Sequence, residues 1–175
     1  MNVLVTGFGP FLEVTDNPSG ALARAVDGLR VAGATVTGVE LPVTWQSPAL
    51  AVARALALDA RLVVGLGVDR RTRTIDVETR AYNQGEGVDN AGVRGEVLEP
   101  DGPVTRHSTV DAQALAAALG GRVDDDAGRY VCNAWLYGVV GGLPGRGVVF
   151  VHVPHEGMEV AALVRGIEVL VRGVG

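Results

Sequence analysis

Short runs of β-branched and aliphatic residues alternate with alanine-rich segments of helical period, and this alternation limits the folds open to the chain. "NVLVT" is followed by "SGALARAVDGL", then by "ATVTGVEL", "SPALAVARALAL" and "RLVVGLGV". Such a succession predicts strands joined by crossover helices, and therefore a mainly parallel sheet with helices packed on both faces. The pattern resumes in the second half. "STVDAQALAAAL" predicts a helix with Ser108 or Thr109 as its N-cap, and "YVCNAWLYGVV" predicts another. "GVVFVHVP" reads as an apolar strand stopped by Pro154, and "GMEVAALVRGIEVLVR" as a closing helix. With 47% hydrophobic residues, a chain of 175 residues can bury a full core, so residues 1–175 are expected to form one domain.

The middle of the chain breaks the alternation. "RTIDVETRA", Arg73 to Ala81, predicts one more strand, but "YNQGEGVDNAGVRGEVLEPDGPV" is rich in Gly, Asn, Asp and Pro and has no helical period. It is expected to be a long excursion over one edge or mouth of the sheet, where long loops often carry function. The triplet Asp124 to Asp126 reads as a solvated turn.

Several function classes are disfavoured. "MNVLVTG" enters a buried strand without the charged start and longer apolar stretch of a secretory signal, and no apolar run is long enough to cross a bilayer. The expectation is a soluble, cytoplasmic protein with no membrane partner. A formal net charge of −5 and a pI near 5.1 oppose the positive face that nucleic acid requires, with "RRTRT" at Arg70 to Thr74 a local exception. One cysteine cannot close an internal disulfide, and with three histidines (His107, His152, His155) it forms no spaced zinc motif. No metal is expected.

Four segments carry candidate chemistry. "TGFGPF", Thr6 to Phe11, is neither a dinucleotide fingerprint nor a P-loop, and Pro10 lacks an N–H to offer a phosphate. The loop presents Phe8 and Phe11, two of the three phenylalanines in the chain. Ordinary core packing is one use for them; a small apolar pocket at the carboxyl end of the first strand is the other. In "RTIDVETRA", alternation puts Asp76 and Glu78 on one side, together with Thr74 and Arg80. Either carboxylate can orient a histidine, spacing does not distinguish them, and a solvated face with arginine counter-charges also fits. His152 sits near the carboxyl end of an apolar strand, where side chains reach a site mouth, though a core histidine would look the same. His155, beyond Pro154, and His107, ahead of a helix, read as solvated. Cys132 is placed by "RYVCNAWLY" in the first turn of a helix, where aligned dipoles and free N–H groups favour an anion. A cysteine there serves either as a small core hydrophobe or as a nucleophile with part of an oxyanion hole beside it.

Taken together, these segments resemble the pyroglutamyl peptidase I (pyrrolidone-carboxylate peptidase) family of cysteine peptidases nearly end to end. The resemblance is carried by "VLVTGFGPF" followed by "NPS", by "IDVETRAYN", by "AGRYVCNAWLY" and by "FVHVP", in the family's order. It implies a three-layer α/β/α domain with a mostly parallel central sheet, phosphorylase/hydrolase-like. It also implies removal of an amino-terminal pyroglutamyl residue from small peptides through an acyl-enzyme, without metal or cofactor. Cys132 would be the nucleophile, His152 the general base and acid, and Glu78 rather than Asp76 the residue that orients the imidazole. Phe8 and Phe11 would sandwich the lactam ring, Val43 and Val131 would complete the apolar wall, Asn17 would brace the loop, and backbone near Leu66 would accept the lactam N–H.

There are departures from the family pattern. The family carries an arginine three residues before an Asp-Asn pair, thought to stabilise the oxyanion; alignment on Asp89 and Asn90 puts Glu86 there. Arg80, Arg94 and Arg70 are candidate replacements, and Leu66 stands where the family has glutamine. The segment after "HVP" lacks a polar insertion from a region that can take part in subunit contacts. A homo-oligomer, dimer or tetramer, is allowed, but the family's tetramer is not carried over. The alternative function is a catalytically weak or inactive homologue that binds pyroglutamyl or other lactam compounds. A more distant one is a nucleoside-phosphorylase-like enzyme, which would need an anion site that these loops do not offer.

Overall fold

The computed structural model describes residues 1–11, 15–69 and 71–174. The first half of the chain forms β1 (Asn2–Phe8), α1 (Pro18–Ala25), β2 (Arg30–Val31), β3 (Ala34–Leu41), α2 (Ser47–Ala57) and β4 (Ala60–Val68). There follow β5 (Asp76–Glu78), β6 (Arg80–Tyr82), β7 (Thr105–His107), α3 (Ala112–Leu119) and β8 (Arg122–Asp124). The chain ends with α4 (Val131–Gly142), β9 (Gly147–Val153) and α5 (Val160–Gly173).

Seven strands make one sheet in the order β2-β3-β1-β4-β9-β5-β8, while β6 and β7 pair as a separate ribbon. β1 lies parallel to β3 and β4, β4 to β9, and β5 to β8; the β2–β3 and β5–β9 pairs are antiparallel. The expected mostly parallel α/β architecture is therefore present.

Strand alternation feeds two separate cores. On β4, Leu62, Val64 and Leu66 join α1, α3 and α5 on one face, whereas Val63 joins α2 and α4 on the other. The chain thus has three layers, with the sheet between the two sets of helices. Burying each large aliphatic side chain of α5, such as Leu163 or Ile167, contributes roughly 1.5–3 kcal/mol.

Two local expectations are corrected. The strand read from Arg73 to Ala81 is broken at Thr79, whose N–H and hydroxyl both donate to the Asp124 carbonyl, at 2.8 and 2.9 Å. The Thr79 carbonyl accepts from the Ser108 N–H, and the chain leaves the main sheet to build the β6–β7 ribbon. The N-cap of α3 is Asp111, which accepts from the Ala114 N–H at 2.9 Å. Ser108 and Thr109 instead tie the chain to the start of β9 through the carbonyls of Val148 and Arg146. The aspartate triplet is solvated at Asp125 and Asp126, as expected, and is also tied down: Asp124 ends β8, Asp125 pairs with Arg80, and Asp126 pairs with Arg129.

Candidate active site

The carboxyl ends of β1, β4 and β9 converge on the start of α4 around a cavity of about 750 Å³. β9 supplies His152 on the α2/α4 face, because Phe150 two residues earlier packs into that core and Val151 into the opposite one. β5 runs antiparallel to β9 and places Val77 in the opposite core, so Asp76 and Glu78 share a face with His152. The choice that alternation left open is made by hydrogen bonding. The His152 Nδ1–H donates to Glu78 Oε1 at 2.6 Å, whereas Asp76 accepts from Arg122 and Thr74, both at 2.7 Å. With Nδ1 engaged, Nε2 is the nitrogen left for the cavity.

Cys132 is the second residue of α4, following Tyr130 and Val131, and it is half-buried in the cavity wall. Amides of a first helical turn have no intrahelical acceptor, so they face whatever approaches the sulfur. Room for the thiol is made by β4. Gly67 pairs with His152 in the parallel register, and a Cβ added to it would lie 2.8 Å from Cys132 Sγ and 2.7 Å from the Phe150 ring. Any larger residue at 67 would displace the sulfur or the ring.

Electrostatics couple the three groups. Burial lowers the pKa of the His152 imidazole, but the charge and hydrogen bond of Cys132, and then those of Glu78, raise it to about 10. Burial raises the Glu78 carboxyl above its ordinary value, against the pull of the His152 hydrogen bond and charge. Glu78 is almost fully enclosed, and its second oxygen has no partner among the described residues. A carboxylate held this way has one strong interaction, with the imidazole.

Phe8, Phe11, Val43 and Val131 line the apolar end of the cavity, and Asn17 stands beside them. Asn17 caps α1: its Oδ1 accepts from the Ser19 N–H and hydroxyl, and its amide donates to the Gly9 carbonyl at 2.9 Å, which fixes the loop after β1. Leu66 does not line the cavity. Its side chain is fully buried in the opposite core, and only its main chain faces along β4. His155 is exposed beyond the end of β9 and lies away from the cavity, and His107 is exposed on the β6–β7 ribbon.

The polar end was not read from the sequence. Asp69 and Arg71, from the loop after β4, face Asp126 and Arg129, from the loop before α4. Burial would raise the Asp69 carboxyl, but hydrogen bonds from Arg71, with the His152 charge, hold it below the ordinary value. Asp126 is likewise lowered against burial, by Arg129 and the Gly128 N–H. Of the candidate replacement cations, Arg80 is bound to Asp125 at 2.8 Å, Arg94 is exposed and does not line the cavity, and Arg70 lies outside the described residues. Asn133, next to Cys132, clamps the excursion from both sides. It accepts from the Tyr82 N–H and donates to the carbonyls of Tyr82 and Gln84. Asp89 and Asn90 pin the far end of the excursion to Trp45, Val43 and Pro10.

A thiol at a helix start, an imidazole and a buried carboxylate along one face of a parallel α/β sheet are the groups a thiol hydrolase uses. The chain belongs to the pyroglutamyl peptidase family, whose sequence model matches residues 1–165. It is 38% identical over 151 residues to a pyrrolidone-carboxylate peptidase of Mycobacterium marinum, covering 79% of this chain and 68% of the relative. A pyrrolidone-carboxylate peptidase of Mycobacterium bovis is 35% identical over 169 residues, covering 87% of this chain and 76% of the relative. Among solved structures, the pyrrolidone carboxyl peptidase of Thermococcus litoralis matches with a TM-score of 0.86 at 25% identity, over 99% of this chain and 92% of that one. That of Pyrococcus furiosus matches with a TM-score of 0.89 at 25% identity over 100% of both chains. No described helix is long and apolar enough to cross a membrane.

Proposed function

We propose that this protein removes an amino-terminal pyroglutamyl residue from peptides, with Cys132 as nucleophile, His152 as general base and acid, and Glu78 as the residue that orients the imidazole. The observation that carries the assignment is the 2.6 Å Nδ1–Glu78 bond, which turns the other ring nitrogen toward the cavity that holds Cys132. The reaction follows from that order of groups. The thiol proton already rests on His152, as an imidazolium beside the sulfur anion; Sγ then bonds to the pyroglutamyl carbonyl carbon, and the carbonyl oxygen becomes an oxyanion facing the first-turn amides of α4. As the C–N bond breaks, the imidazolium gives its proton to the leaving amine. A water, deprotonated by the same imidazole, then cleaves the thioester and frees pyroglutamate.

The apolar end is the place for the lactam ring. Phe8 and Phe11 offer flat faces, Val43 and Val131 close the sides, and the braced loop at Asn17 keeps the two rings in position. A ring this small offers little area, so discrimination rests on hydrogen bonds that an open-chain residue leaves unmade. A cytoplasmic setting suits a single reduced thiol on which the chemistry depends.

The test is hydrolysis of a fluorogenic pyroglutamyl amide. The wild-type protein should release the fluorophore, and Cys132→Ala should lower kcat by on the order of 10⁴-fold or more. Wild-type release no faster than that of Cys132→Ala would leave a binding protein in place of a peptidase.

A further inference from the structure

We propose that Glu86 makes this enzyme prefer peptides whose residue after pyroglutamate carries a positive charge. The inference rests on the peptidase reading above, since it concerns the portion of substrate that leaves. If the lactam ring occupies the apolar end, the rest of the peptide extends over the polar end, whose charged side chains are Asp69, Arg71, Glu86, Asp126 and Arg129.

Four of these five charges are already matched. Arg71 pairs with Asp69 at 3.0 Å, and Arg129 pairs with Asp126 at 2.6 Å. Glu86 is different. Its side chain accepts from the neutral Gln84 amide at 2.8 Å, and no ion pair among the described residues includes it. Arg129 is close enough for its carbonyl to accept the Glu86 N–H at 2.7 Å. Its guanidinium nevertheless turns away, to Asp126, to the Gly128 carbonyl and to the face of Tyr82, 3.5 Å from the ring centroid. These contacts commit the Arg129 guanidinium to partners other than Glu86. Among the described residues, the cavity wall therefore presents one carboxylate with no ion-pair partner, on a chain whose formal net charge is −5.

Such a group selects by charge. A lysine or arginine side chain leaving the reaction centre meets an opposite charge, an acidic one meets a like charge, and a neutral one meets neither. Glu86 is exposed, so the attraction is that of a solvated pair and the preference is about two- to fivefold. The effect belongs in KM, because Glu86 contacts the departing residue before and during the reaction alike.

The experiment compares pyroglutamyl-Lys-Ala-amide, pyroglutamyl-Ala-Ala-amide and pyroglutamyl-Glu-Ala-amide, with kcat and KM measured at low salt and in about 0.5 M sodium chloride. In the wild-type protein the Lys peptide should exceed the Ala peptide by about two- to fivefold in kcat/KM, and the Glu peptide should fall below it by a similar factor. Salt should compress the series, Glu86→Gln should flatten it, and Glu86→Lys should reverse it. Binding of the same peptides to Cys132→Ala protein reads the charge order without turnover. Equal constants for all three peptides, or an order that survives in Glu86→Gln, would overturn the proposal. Peptides that bind in the expected charge order yet are never cleaved would overturn only the peptidase reading.

Discussion

The two faces of the central sheet draw on the same strands, yet they are filled in opposite ways. The buried hydrophobic residues of the face under α1, α3 and α5 are Val, Leu, Ile and Ala, with Met158 packed against them and no aromatic ring. The face under α2 and α4 holds Phe8, Trp135, Tyr137 and Phe150, with Cys132 packed against them. On that second face β4 contributes Gly65 and Gly67, and the space above them is taken by the Trp135 and Phe150 rings and by the Cys132 sulfur. Among the described residues, the buried polar side-chain atoms left without partners, Glu78 Oε2 and Trp135 Nε1, lie on this face too. One side of the sheet is close-packed support. The other gives up methyl groups and hydrogen bonds so that reactive side chains have defined places.

The comparison can be broken most forcefully at Glu78. Glu78→Gln should lower kcat on the order of 10³–10⁴-fold, because the amide no longer supports the imidazolium, while Asp76→Asn, which loosens contacts to Arg122 and Thr74 but none to His152, should leave kcat within a few-fold. Equal losses from the two substitutions in the same hydrolysis assay would mean that the face works through general charge rather than through one bond.

The next contrast separates support from site. Leu163→Ala in the aliphatic core should cost about 2–5 kcal/mol in urea unfolding and leave turnover per folded molecule unchanged. Gly67→Ala should cost less, about 1–3 kcal/mol from overpacking, yet reduce kcat/KM more than tenfold, because the new methyl meets the sulfur. A Gly67→Ala protein with wild-type rates would show that the thiol has room the packing does not suggest.

The smallest effect is on the pH dependence of stability. The His152 value of about 10 lies above its ordinary 6.5, so its share of stability is complete below about pH 6.5 and is lost as pH climbs toward 10. Glu78, also raised, acts in the same direction from its ordinary 4.5 upward. The stability difference between wild type and His152→Gln should therefore shift against the wild type between pH 6.5 and 10, as read from urea midpoints. A difference that stays flat would place the imidazole outside a charged pair.

Much of this organisation is legible in the residues themselves, where one periodicity dominates. The segments around β1, β3, α2, β4, α4, β9 and α5 each have enough residues for a period of 2 or 3.6 to show. The break at Thr79 is invisible in that way, because two hydrogen bonds to Asp124, 45 residues on, decide it. The three-residue β8 is too short to show any period. Cys132 and His152 stood out because a lone thiol at a helix start and an imidazole in an apolar strand are chemically odd. Glu78 could not be told from Asp76, since both point the same way, and the arginine that claims Asp76 comes from a strand not yet recognised. The polar end of the cavity was missed for a related reason. Its ion pairs are local, but only folding brings the loop at Asp69 against the loop at Asp126.

The sheet order places β9 between β4 and β5, although it follows both in the chain and comes only after α4. The thiol of α4 and the carboxylate of β5 therefore meet the imidazole only once β9 is seated between its two neighbours. Without β9, the edges of β4 and β5 that it pairs with would stand open, and open strand edges invite aggregation.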